Sequence, residues 1–218
     1  IKQIVGRLNA QNLSETEERE AVETMTELIE YYKGIFTILS SCASRQLEEV
    51  TFRRTVIPVQ ELLDAAGKYF KKLMKNRPER IELEIEPMEA KVIGDVNQLR
   101  FLLENLIDEA LSVPVAGKIR LTCAVEDDFV RFLFTDMRRE KTREELNQLF
   151  YPNLARMTAG EKGKLCGTEY LLCKQIIRDH DEFAGRRGCR INAEPAEKGG
   201  FAVYFTLPRY LKRIQLGR

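Results

Sequence analysis

The sequence predicts an α/β two-layer sandwich, one mixed sheet with helices on one face, preceded by an antiparallel helical hairpin. Three observations lead there. Ile81, Leu83 and Ile85 alternate with charged residues at the two-residue period of a half-buried strand, and β-like runs recur at 119–125, 129–134, 189–193 and 201–207. Apolar residues fall at helical spacing at Val59, Leu62, Leu63, Ala66, Tyr69, Phe70 and Leu73, and again at Leu99, Leu102, Leu103, Leu106, Ile107 and Ala110. Near the start, Val22, Met25, Ile29, Tyr32, Phe36 and Leu39 step by three and four, the seam of a coiled coil or four-helix bundle.

Taken in order, Ile1, Ile4, Val5 and Leu8 keep helical spacing and the chain turns through Asn9 to Leu13. Ser14-Glu-Thr-Glu17 reads as a capping box, in which the hydroxyl and the carboxylate satisfy amides at the start of the seam helix. Gly34 is a weak point in that helix, tolerable where packing compensates. From Val50 to Val56 the chain becomes β-like, Pro58 breaks it, and the amphipathic helix from Val59 follows. After strand 81–85, a short strand at Lys91 to Ile93 leads into a helix opening on Asp95, whose apolar face meets the sheet. A hairpin turns through Glu126-Asp-Asp128. A helix is expected at 142–150, a loose stretch with Gly160 and Gly163 at 151–166, and a helix at 168–179. Two strands joined through Lys198-Gly-Gly200 close the sheet. The implied division is 1–49 hairpin, 50–208 sandwich and 209–218 a short basic tail.

Composition narrows the function classes. Of 218 residues, 44% are apolar and 32% charged, the balance of a soluble chain able to build a core. With 35 basic against 34 acidic residues the net charge is +1, which argues against a dedicated nucleic-acid or anionic-membrane surface. No apolar run is long enough to span a bilayer. The five cysteines, Cys42, Cys123, Cys166, Cys173 and Cys189, include no C-x-x-C pair, and His180 is the single histidine, so a zinc site is not expected and a reducing cytoplasm is. The first residue is Ile rather than Met, as in a fragment of a longer chain that itself can be membrane-anchored.

Four stretches carry a family resemblance. Val92-Ile-Gly-Asp-Val-Asn-Gln-Leu-Arg-Phe-Leu-Leu-Glu-Asn-Leu-Ile-Asp-Glu-Ala-Leu111 resembles the N box of the ATP-binding domain of sensor histidine kinases, D-x-x-x-L-x-x-x-L-x-N-L-L-x-N-A. Phe132-Leu-Phe-Thr-Asp-Met-Arg-Arg-Glu140 is similar to the V-x-V-x-D-x-G-x-G box, and Leu146-Asn-Gln-Leu-Phe150-Tyr-Pro to the F box. Gly167-Thr-Glu-Tyr-Leu-Leu-Cys-Lys174-Gln-Ile-Ile-Arg-Asp-His180 resembles G-L-G-L-x-x-x-K-x-I-V-x-x-H. Order and spacing agree throughout. The resemblance implies an ATPase-like sandwich, two-component signalling, and a dimerisation hairpin ahead of the domain. Ile1-Lys-Gln-Ile-Val-Gly resembles the residues just after the family's phosphoacceptor motif H-E-x-x-x-P, which places any such histidine within roughly two helical turns before Ile1. A simple coiled coil used for packing is the plainer reading of the hairpin.

The resemblance also implies a site. Asp136 would accept a hydrogen bond from the adenine amine, and an unpaired polar group there would cost about 1–3 kcal/mol. Asn105 and Glu109, four apart on one helix face, would hold Mg²⁺, and Gly167 and Lys174 would meet the nucleotide. Four positions depart from the pattern. Arg138 and Glu140 stand where glycines let backbone approach a ligand, Glu109 stands where an Asn is usual, and Glu169 replaces a glycine at a phosphate-favouring helix start. At about 4 Å and an effective dielectric near 20, each carboxylate would repel a phosphate charge by on the order of 4 kcal/mol. A quarter of that for each of Glu109, Glu140 and Glu169 weakens binding by roughly a hundredfold.

The reading is therefore a histidine-kinase-like signalling module with an eroded ATP site, no catalytic residue in this chain and no bound cofactor. It would act as a homodimer through Met25, Ile29, Tyr32 and Phe36 and by docking a response-regulator receiver domain. The enzymatic alternative is an active ATP-dependent histidine kinase using ATP and Mg²⁺ at Asp136, Asn105 and Glu109. A different ATPase of the superfamily, related to DNA gyrase, heat-shock chaperones or anti-sigma-factor kinases, is the third reading, and the hairpin argues against it. His180 reads as a surface or capping histidine, without a nucleophile partner for a relay. Gly160-Glu-Lys-Gly-Lys164 lacks the P-loop pattern and reads as a solvated lid remnant.

Overall fold

The computed structural model describes residues 19–20, 22–26, 52–75, 77–151 and 168–211. The expected capping box at Ser14–Glu17, the seam positions Ile29, Tyr32 and Phe36, the lid glycines, Gly167, Cys42, Cys166 and residues 212–218 lie outside them, as does the side chain of Glu169. Residues 19–20 and 22–26 are helical, and Met25 is half-buried.

Among the described residues the sandwich is built from seven strands and four helices. The strands are β1 Thr55–Pro58, β2 Ile81–Ile85, β3 Lys91–Gly94, β4 Gly117–Glu126, β5 Phe129–Asp136, β6 Ile191–Pro195 and β7 Phe201–Pro208. Here the helices are α1 Val59–Met74, α2 Val96–Leu111, α3 Arg143–Gln148 and α4 Thr168–Phe183. Five strands form one sheet in the order β2-β4-β5-β7-β6, and β1 pairs with β3 as a separate antiparallel ribbon. β2 runs parallel to β4 and the other neighbours are antiparallel, so the sheet is mixed as expected. Tyr210 N–H donates to Lys91 O and ties the ribbon to the chain beyond β7.

Each helix is placed by its apolar stripe. Val59, Leu62, Leu63, Ala66 and Phe70 of α1 are buried, as are Leu99, Leu102, Leu103, Leu106 and Ile107 of α2. Val130, Phe132 and Phe134 alternate inward along β5 and meet them, with Phe132 stacked on Phe205 at 4.7 Å between ring centroids. Burying such side chains contributes about 1.5–3 kcal/mol each. Between α1 and α2, the Tyr69 hydroxyl donates to the Asp108 carboxylate at 3.0 Å, and burial together with that carboxylate pushes its pKa up to about 12.

Boundaries differ in instructive ways. Pro58 ends β1 rather than breaking it earlier, because at the last strand position its missing N–H is not needed by the ladder. Between β4 and β5 the turn is Asp127-Asp128, with Asp127 at φ 49°, a left-handed conformation that Asp tolerates. α3 is shorter than expected, capped by Thr142 and Glu145 in a capping box, whereas α4 runs on to Phe183.

Candidate functional site

The site is set by where α2 begins and where it passes the end of β5. At its start, the Asp95 carboxylate accepts the N–H groups of Asn97 and Gln98 at 3.0 and 3.2 Å, and its second oxygen accepts Arg53 N–H at 2.8 Å. Asp95 N–H donates to His180 Nε2 at 3.1 Å, and His180 Nδ1–H donates to Ile176 O at 2.7 Å. His180 is fully buried, edge-on to Phe52 at 4.9 Å, which corrects the expectation of a surface histidine. It does serve a helix start, though one on another element. Burial pushes its pKa down, against the raising effects of Ile176 O and Asp95, so it is held neutral. Gly94 makes this approach possible, because a Cβ there would lie 2.8 Å from two ring atoms of His180.

Further along α2, Asn105 and Glu109 are both buried, on one face as their spacing requires. Asn105 Nδ2 donates to Phe101 O, one turn back on its own helix, at 2.9 Å. Glu109 faces the end of β5, with Arg139 Nη1 3.8 Å from its carboxylate.

Asp136 ends β5 at 1% exposure, and all its acceptor directions point at nitrogen. Oδ1 accepts Arg138 N–H at 3.0 Å and Arg138 Nε–H at 2.8 Å. Oδ2 accepts Arg138 Nη2–H at 2.9 Å and Arg139 Nε–H at 2.8 Å. The Arg138 fork also donates to Ala110 O at 2.6 Å and Val115 O at 3.0 Å, so a side chain only 1% exposed is held by one carboxylate and two carbonyls. Burial pushes the Asp136 pKa up, but the Arg138 hydrogen bonds and the two guanidinium charges outweigh it and hold the carboxyl below its ordinary range. Arg139 lies over the Phe201 ring at 5.6 Å, and its Nη2 has no hydrogen-bond partner among the described residues. Gly200, at φ +81°, packs its Cα so closely on Asp136 O that a Cβ would collide with backbone.

A family model matches residues 94–211, more than half of the chain: histidine kinase-, DNA gyrase B- and HSP90-like ATPase. The chain belongs to that family. No curated protein matches it. Among solved structures, the chain is similar to the histidine kinase AdeS of Acinetobacter baumannii, at 14% identity and TM-score 0.60 over 96% of this chain and 95% of that one. It is also similar to the mycobacterial sensor histidine kinase MprB, at 18% identity and TM-score 0.56 over 72% of this chain and 98% of that one. The ATP-binding domain of PrrB from Mycobacterium tuberculosis matches at 17% identity and TM-score 0.54, covering 72% and 98%. The fold is that of histidine-kinase catalytic domains, and the chain carries the ATP-binding-type domain of this ATPase family.

Members of the family bind ATP with Mg²⁺. An adenine amine would need a free acceptor on Asp136, and both oxygens already take two donors each. Asn105 turns its amide nitrogen to its own helix, and Glu109 faces a guanidinium rather than an open ligand position. Among the described residues no three His, Cys, Asp or Glu side chains gather as a metal site. With the side chains so placed, neither Asp136 oxygen is left without donors.

Of the other sequence candidates, Lys174 is exposed, its Nζ 4.1 Å from the Tyr151 ring centroid, and Glu140 is exposed. Sequence reading singled out Arg138 as bulk in a space kept for glycine and missed Arg139 altogether. The signal available was the Arg-Arg pair one residue beyond the strand-ending Asp136, after Met137. Also missed was Tyr170, buried edge-on to Phe150 at 5.8 Å, whose pKa burial and the Glu109 charge push well above the ordinary value. No helix among the described residues is long and apolar enough to cross a membrane.

Proposed function

We propose that this chain is a two-component-type signalling module, histidine-kinase-like in fold, whose nucleotide site is closed by its own side chains and which works by dimerisation and partner docking. The observation that carries the reading is the Asp136 carboxylate, saturated by Arg138 and Arg139 where a nucleotide base would need it. A guanidinium is a planar array of N–H donors, so it meets the same acceptor need as an aromatic amine while remaining covalently tethered.

The partners follow from the module. A second copy would pair through the helix carrying Met25, Ile29, Tyr32 and Phe36, within a hairpin spanning residues 1–49, and a response-regulator receiver domain would dock on the assembly. A cytoplasmic setting suits this chemistry, with Cys123 and Cys189 free thiols.

Calorimetry with ATP and Mg²⁺ tests the closed site: no saturable heat is expected. Micromolar affinity abolished by Asp136→Asn would establish instead the active kinase, with Asn105 and Glu109 on Mg²⁺ and a histidine upstream of residue 1 as acceptor. Light scattering tests the assembly, and a monomer at high micromolar concentration would remove the dimer from the proposal.

A further inference from the structure

A second feature lies away from Asp136, where β2 forms one edge of the sheet. In a parallel pair, alternate residues turn their N–H and C=O groups toward the partner strand. Arg80 O accepts Gly117 N–H and Glu86 N–H donates to Leu121 O, so the even-numbered residues serve β4. Leu83 and Ile85 therefore direct their backbone groups to the open side, and among the described residues no backbone group meets them there.

Beside this edge a groove of about 500 Å³ runs between α1 and β2. Leu63, Phe70, Leu83 and Ile85 line it with apolar surface, and Lys68 and Lys71 line it with charge. Gly67 sits mid-helix where a Cβ would come within 3.2 Å of Ile85 Cδ1, so a larger residue would narrow the groove. The glycine gives close packing of α1 against the edge strand.

The charges decide the occupant. On the opposite face of β2, Glu84 is neutralised by Lys118 at 2.6 Å and Arg120 at 2.9 Å. Lys68 and Lys71 are exposed and, with Lys72 and Lys75 on the same end of α1, form no ion pair among the described residues. The groove's one acid, Asp64, accepts a hydrogen bond from Gln60 at 2.9 Å. An open strand edge, an apolar floor and an uncompensated basic rim together select an extended chain with acidic side chains.

We propose that the β2 edge and its groove bind an extended acidic segment of another protein as an added strand. Main-chain hydrogen bonds to Leu83 and Ile85 would supply affinity, alternate apolar side chains would fill the groove, and carboxylates would meet Lys68 and Lys71. The proposal is independent of the state of the nucleotide site.

The test is an NMR titration of the isotopically labelled chain with an octapeptide alternating Glu and Val. Saturable shifts centred on residues 81–86 are expected, with affinity weakened roughly tenfold or more by K68E/K71E, a surface double variant that leaves the core untouched. A peptide N-methylated at alternate residues should lose binding, because strand addition needs its N–H groups. The proposal is overturned by absence of saturable shifts, by shifts centred elsewhere, by equal binding of a Lys-Val octapeptide, or by undiminished binding of the N-methylated peptide.

Discussion

The two ends of α2 solve the same problem with different chemistry. At the start, Asp95 is buried and satisfied by backbone N–H groups, while its own N–H is taken by a neutral imidazole. Near the other end, buried Asp136 is satisfied by two guanidiniums. Backbone donors come with the fold and leave no freedom of choice. Guanidiniums are side chains that fill space, so the second solution consumes the volume beside the carboxylate. The first end is tied by backbone groups, and the second by side chains that occupy the space beside the acid.

The comparison breaks first at Arg138. Arg138→Ala leaves the Asp136 carboxylate with one guanidinium and orphans Ala110 O and Val115 O, so a loss of about 3–5 kcal/mol is expected by urea denaturation. A loss under about 1 kcal/mol would mean that the side chain is not seated there. Removing both partners in Asp136→Asn/Arg138→Met should cost less than the sum of the single changes, since the uncompensated buried charge goes with them.

At the other end the largest expected effect comes from packing. Gly94→Ala brings a Cβ 2.8 Å from the His180 ring and 2.9 Å from Leu99 Cδ1, and overpacking of this kind costs about 1–3 kcal/mol, read as a lowered thermal midpoint.

Acid sharpens the contrast between the ends. The His180 pKa is lowered in the fold, so the unfolded chain binds the proton first. Stability is full above the ordinary imidazole value near 6.5 and falls as pH drops below it toward the folded pKa. The Asp136 pKa is also lowered, and its contribution is full above the ordinary carboxyl value near 3.8 and is lost as pH falls through the folded value. Denaturation midpoints followed against pH should therefore decline in two separated limbs, the upper one absent in His180→Gln. The smallest effect belongs to exposed pairs: Glu61→Gln, which frees Arg100, should shift stability by less than about 1 kcal/mol by the same measurement.

Much of this was legible beforehand, and particular residues show why. Asp95 as a helix cap, the Asn105 and Glu109 face, and strand 81–85 all depend on residues within a few positions of one another, where period and capping chemistry act. Arg138 was legible as bulk in a place that wants glycine. That it would turn onto Asp136 and reach two carbonyls was not, since Ala110 lies 28 residues away and Val115 lies 23. Arg139 was marked only by its place in an Arg-Arg pair, and the burial of Tyr170 against Phe150 depends on a residue 20 positions away.

By itself, the sequence determined the order of strands and helices, the apolar face of each, and the position of the strand-ending acid, because periodicity and local hydrogen bonding are written in neighbouring residues. Only the tertiary structure decided that His180 is buried against a helix start 85 residues away and that two arginines close around Asp136. Both depend on which distant backbone groups are left needing a partner once the sheet and helices have packed.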